Sequence, residues 1–124
     1  MKQPGADDWE VIGGNVILVK DGVIVPSKNK QKHPRTVVGL DASGKKLIIM
    51  LVDGRKPGVA VGMTYDELAA EMIRLGCRQA LNLDGGGSSV MAVREAGKLA
   101  ILNEPTDGRE RAVGNVLGIA VDRN

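Results

Sequence analysis

Three consecutive glycines, Gly85, Gly86 and Gly87, stand between an acid and two hydroxyls in the stretch 81–91, Leu-Asn-Leu-Asp-Gly-Gly-Gly-Ser-Ser-Val-Met. Each glycine in an ordered backbone costs roughly 0.5–1 kcal/mol relative to alanine, through the chain freedom lost on folding. A run of three implies either positive φ at successive residues or a neighbour closer than a Cβ permits. Apolar residues lead into Asp84 and resume at Val90, so the glycines form a loop between two strand-like segments. One reading is a glycine-rich bulge or wide turn. The other is a ligand loop, with Asp84 as charged acceptor, Ser88 and Ser89 as hydroxyls, and unobstructed backbone N–H groups as donors.

With 124 residues the chain suits one domain, and 43% apolar with 26% charged residues is ordinary globular material. The net charge of +2 gives no argument for a nucleic-acid or membrane partner. Trp9 and Tyr65 are the only aromatic residues, so no row of rings exists on which bases could stack. Cys77 is the single cysteine, which excludes an intrachain disulfide and a cysteine-based zinc site; it reads as a buried, inert thiol. The first ten residues contain no apolar signal region and no run reaches membrane-spanning length, which leaves the compartment open.

Residues 1–10 read as a polar, flexible lead and 11–124 as the domain. Strand-like runs at 11–12, 16–19 and 23–25 follow, with Asp21-Gly22 marking a hairpin. Lysines 28, 30 and 32 lie in a loop that is either solvated or a basic rim attracting anions. Residues 35–41 and 46–52 form a second predicted hairpin. The unalternating run Leu-Ile-Ile-Met-Leu-Val (47–52) predicts a central strand covered on both faces. Residues 64–75 predict a helix: Thr64 with Glu67 is a capping box, Leu68, Met72 and Leu75 form an apolar stripe, and Gly76 is the stop. Strands at 79–83, 89–94, 98–102 and 111–121 complete the expectation. The result is an α+β fold, a mostly antiparallel twisted sheet with one main helix packed on it.

Charge collects at strand ends: His33 and Arg35, Asp53 and Arg55, Asp84, and Arg111 with Asn115. There is no P-loop, because no lysine follows the glycines, and no nucleophile elbow. His33 is the only histidine, so a Ser-His-Asp triad would require it to reach Ser88 or Ser89; a hydrogen-bonded structural histidine is the plainer reading. The remaining carboxylates, arginines, serines and amides suit a substrate carrying both hydroxyls and an anion, such as a sugar phosphate. Asp53 and Asp84 could share a Ca²⁺, but nothing in the spacing calls for a metal.

The segments GGNVILVKDGVIV, HPRTVVGLD, LIIMLVDGR, VGMTYDELAAEMIRLGC, ALNLDGGGSSVM and RAVGNVLGIAV, in this order, resemble the phosphodiester glycosidase family over residues 11–121. The resemblance implies hydrolysis of a glycosidic bond to a phosphodiester-linked phosphate, of N-acetylglucosamine-phosphate type or in a related envelope glycan. Its members are often secreted or envelope-associated. It implies Asp84, Asp53 and Arg35 as catalytic residues, with Asp84 or Asp53 as base or nucleophile and Arg35 with Arg111 on the phosphate. His33, Arg55, Gly85, Gly86, Gly87, Ser88, Arg111 and Asn115 are the implied substrate-binding residues. Family members usually carry an upstream segment that this sequence lacks. A trimmed fragment, a short relative completed by a second copy, and an inactive binder are the readings this leaves. The alternatives to the enzyme are a non-catalytic carbohydrate- or anion-binding module and a purely structural domain. Open sheet edges would favour a homo-oligomer.

Overall fold

Among the described residues the chain first reverses at Asp21-Gly22, where both residues hold positive φ, 53° and 80°, matching the twist a two-residue antiparallel hairpin needs. In the computed structural model, which describes residues 12–121, this turn joins β1 (Val16–Lys20) to β2 (Val23–Ile24). Then come β3 (Arg35–Asp41), β4 (Leu47–Val52), α1 (Tyr65–Arg74), β5 (Cys77–Asn82), β6 (Ala92–Glu95) and β7 (Lys98–Ile101). The five-stranded sheet runs β2-β1-β5-β3-β4 and every pairing in it is antiparallel; β6 and β7 form a separate hairpin. The architecture is α+β, as the pattern of hairpins and one amphipathic helix predicts. The expected lead at 1–10 lies outside the described residues.

Helix α1 begins as its sequence dictates. The Thr64 hydroxyl accepts from Glu67 N at 3.2 Å, and Glu67 accepts from Thr64 N at 2.9 Å, so two otherwise orphaned donors are satisfied. The lysine loop is drawn onto this turn: Lys30 pairs with Asp66 and Lys32 with Glu67 at 2.7 Å. Those charges serve the helix start rather than a free basic rim. Lys32 and the Thr64 amide hold the Glu67 carboxyl down to about 2, from an ordinary 4.5. A depressed carboxylate contributes stability above its unfolded value that is lost as pH falls through the folded one. Thermal stability is therefore expected to decline between about pH 4.5 and 2. Glu67→Gln, which keeps a capping side chain without the charge, is expected to flatten that decline in a pH series of thermal melts.

The helix stripe packs on one face of the sheet. Leu68, Ala69 and Met72 join Leu18, Val19, Val37 and Ala80 in the core. A bulge in β1, between the pairs Ile17↔Leu81 and Val19↔Ala80, lets the adjacent Leu18 and Val19 both be fully buried. Cys77 joins this core, and burial pushes its thiol up, as expected for an inert group.

Two strand expectations need correction. The run 47–52 is an edge strand, not a central one. Ile48, Met50 and Val52 pack against the core, whereas Leu47 stays 44% exposed; the strand occupying the middle of the sheet is β5. Residues 111–121 form no strand: Val116 and Val121 are each 81% exposed. Their apolar, β-branched composition favours extended backbone, but a strand also requires a neighbouring edge, and none pairs with them among the described residues.

Candidate functional site

β1 and β3 begin, and β5 ends, at the same end of the sheet, through the pairs Val16↔Asn82 and Val37↔Asn82. The ladder continues outward as Asn15 N donates to Asn82 O at 2.9 Å and Leu83 N to Thr36 O at 2.8 Å. Beyond it the glycine loop turns back in a single 3-10 turn, Gly86–Ser88, and Gly86 N donates to Pro34 O at 3.1 Å. The glycines are there for close approach. A Cβ on Gly85 would lie 2.8 Å from Pro34 O, and one on Gly86, whose φ is +62°, would lie 3.1 Å from the Arg55 guanidinium.

A cleft of about 290 Å³ opens at this point, lined by His33, Arg35, Arg55, Asp84, the three glycines and Arg111, with Asn15, Pro34 and Asn82. Eight of the expected residues thus share one hollow. Ser88 stands at its rim, where its hydroxyl accepts from Arg111 Nη2 at 2.6 Å. Asp53 does not line the cleft: its carboxylate accepts from Asn103 Nδ2 at 2.9 Å and from Glu104 N at 3.0 Å, pinning the segment after β7 to the end of β4. Asn115 is exposed and also outside the lining. The glycine loop is less open than bare glycines suggest. Its N–H groups at Gly85, Gly86, Ser88 and Ser89 already donate to Asp84 Oδ1, Pro34 O, Gly85 O and Gly86 O.

Arg35 carries the main electrostatic anomaly. It is 6% exposed, its guanidinium lies 3.9 Å over the Tyr65 ring, and it donates to Met63 O at 3.2 Å and Gln31 O at 3.1 Å. No carboxylate pairs with it among the described residues. A desolvated cation–π contact contributes on the order of 2 kcal/mol, less than the several kcal/mol that burying an ion costs. Arg55 and Arg111 are likewise in no ion pair among the described residues. Three guanidiniums around one hollow are complementary to an anion.

Arg55 also holds positive φ, 59°, a conformation costing a non-glycine residue roughly 1–2 kcal/mol. That strain aims its guanidinium across Gly86 and onto His33 Nδ1, 3.3 Å from both Nε and Nη2. Burial, with Arg55 and Arg35 nearby, lowers the His33 pKa, so at neutral pH the ring is uncharged. Accepting at Nδ1 places its proton on Nε2, 3.3 Å from Gln31 Oε1. Arg55→Gly is expected to raise stability by about 0.5 kcal/mol, the strain relief less the extra freedom of unfolded glycine. Urea denaturation checks this, and phosphate binding in the same variant should weaken.

Asn15, Pro34 and Asn82 are the lining residues absent from the expected set, and the two asparagines are the ones with polar side chains. A signal exists for Asn82: it follows Ala80 by two on the inward side of β5, where a period-two pattern calls for an apolar residue. Among the described residues there is no cluster of three or more metal-ligating side chains. No helix among them is long and apolar enough to cross a membrane.

Residues 2–120 match the family described as phosphodiester glycosidase. The chain is 42% identical over 89 residues to the SPbeta prophage-derived uncharacterized protein YomE of Bacillus subtilis (strain 168), covering 72% of this chain and 13% of that protein. Among solved structures it resembles the catalytic domain of zebrafish N-acetylglucosamine-1-phosphodiester alpha-N-acetylglucosaminidase, auto-inhibited by its pro-peptide. That match has 29% identity and a TM-score of 0.62 over 76% of this chain and 34% of that one. A protein of Burkholderia pseudomallei K96243 matches at 43% identity and a TM-score of 0.52, over 61% of this chain and 14% of that one. The chain spans well under two thirds of the length of each of these relatives.

Proposed function

This chain belongs to the phosphodiester glycosidase family, and from that premise we propose that its cleft takes the phosphate of a sugar-1-phosphodiester, of N-acetylglucosamine-phosphate type or in a related envelope glycan. The observation that carries this reading is the set of three guanidiniums without carboxylate partners, one of them buried, around a hollow whose single lining carboxylate among the described residues is Asp84.

The reaction needs little else from the chain. A phosphate monoester has its second pKa near ~6, so it leaves without a proton donor once cations hold it. Arg35, Arg55 and Arg111 supply that charge. Asp84, oriented by the 2.8 Å donation from Gly85 N, takes a proton from water as the water oxygen bonds to the anomeric carbon. The carbon–oxygen bond to phosphate breaks with its electron pair going to the phosphate.

The test is incubation with UDP-N-acetylglucosamine or another N-acetylglucosamine-1-phosphodiester, followed by proton NMR. Free sugar is expected, and the anomer at first appearance reports whether water displaces the phosphate directly. The withdrawal of Asp53 from the hollow favours a second reading, an anion- and carbohydrate-binding module. Phosphate binding without any sugar release would establish that reading, and absence of both would end the proposal.

A further inference from the structure

The cleft has an uncharged side that the phosphate reading leaves unused. Asn82 lies on the inward face of β5, is 1% exposed, and borders the hollow next to Asn15. Its Nδ2 donates to Leu83 O at 2.7 Å and to Asn15 Oδ1 at 2.8 Å. A backbone carbonyl can only accept, so the Leu83 contact fixes which way the amide is turned. Its Oδ1 is then buried with no hydrogen-bond partner, the one such side-chain atom among the described residues. Buried acceptors are nearly always paired in native proteins, and an exception at the wall of a hollow points to a partner that arrives with the ligand. The same contact sets Asn15: with its Oδ1 accepting from Asn82, its NH₂ is the end left for other acceptors. Asn15 is exposed where Asn82 is closed, so the pair sets a donor at the rim and, behind it, an acceptor that a ligand reaches only with a small shift of the wall.

We infer that Asn82 and Asn15 form the subsite for the neutral part of the ligand. Asn82 Oδ1 accepts from a hydroxyl or amide N–H of the sugar, and the Asn15 NH₂ donates to a neighbouring oxygen of the same unit. This rests on the anion-site reading above and narrows it. The ligand is a phosphate ester of a unit rich in hydroxyl or amide groups, and the arginines do not select it by charge alone.

Calorimetric titrations with inorganic phosphate and with N-acetylglucosamine-1-phosphate separate the two contributions. The wild-type chain is expected to bind the sugar phosphate about tenfold more tightly than phosphate, the increment for two well-made neutral hydrogen bonds. Asn15→Ala, on an exposed side chain that the fold tolerates losing, and Asn82→Ser each remove one of the two bonds and are each expected to lower that ratio to about threefold, and the double variant to bring it close to one. Arg111→Gln is expected to weaken both ligands and preserve the ratio. A wild-type ratio near one would mean that Asn82 Oδ1 stays closed to the ligand, and would overturn the inference while leaving the anion site standing. So would an Asn15→Ala ratio equal to that of wild type. Failure of phosphate itself to bind would remove the anion site and this subsite with it.

Discussion

Asp84→Asn is expected to lower turnover of a sugar-1-phosphodiester by about 10²–10⁴-fold, the range ascribed to a positioned proton acceptor, while inorganic phosphate binds at least as tightly as before. The two halves of this expectation have different physical sources. Asparagine retains an Oδ1 that can accept from Gly85 N, the 2.8 Å contact that orients the side chain, so the loop is expected to keep its shape. What disappears is the basic oxygen that receives a proton as water attacks. The negative charge disappears too, and it stands in a hollow that three guanidiniums otherwise make cationic. Removing a like charge beside a bound anion strengthens binding by a modest Coulomb increment in so exposed a place. Steady-state kinetics and calorimetry on the same preparation read both halves. Unchanged turnover would remove Asp84 from the chemistry; loss of phosphate affinity would show that the carboxylate organises the arginines rather than the water.

Gly62→Ala is expected to cost about 3 kcal/mol of stability, combining left-handed backbone strain with overpacking, and to lower the melting temperature by roughly 10 °C. Gly62 holds φ at +91°, and a Cβ there would overlap the carbonyl of His33. The surrounding backbone has no slack. His33 and Met63 exchange hydrogen bonds at 3.3 and 3.1 Å, and Gly54 packs so closely that its own Cβ would lie 2.9 Å from Gly62 Cα. Met63 O in turn accepts from Arg35 Nε at 3.2 Å. Displacing this bridge therefore also unseats the buried arginine, so phosphate affinity should fall with stability. Gly44→Ala is the comparison, since Gly44 also has positive φ, +68°, but open space around it. Chemical denaturation followed by circular dichroism should show Gly62→Ala to be the costlier change by 1–2 kcal/mol, the overpacking contribution alone. Equal costs would mean that crowding at the His33 carbonyl carries no energy.

The features whose causes are local can be read from the residues alone. The capping box of Thr64 and Glu67 acts over three residues, and the Asp21-Gly22 reversal is set by two residues that reach positive φ, so both were legible before any tertiary contact. The residues gathered around the cleft were legible in kind, because acids, arginines and bare glycines at strand ends carry their chemistry wherever the fold places them. Which of them meet depends on long-range packing. Asp53 and Asp84 are equivalent on paper, each ending an apolar strand, yet one clamps Asn103 and the other borders the hollow. The apolar run of β4 became an edge because β5 occupies the centre of the sheet, and strand order is a matter of long-range pairing. Residues 111–121 have strand composition without a strand, since composition cannot provide the neighbouring edge. Asn82 is the sharpest instance. Its place in the site follows from the register that sets it opposite Val16 and Val37, and register is a property of pairs of strands, not of any one of them.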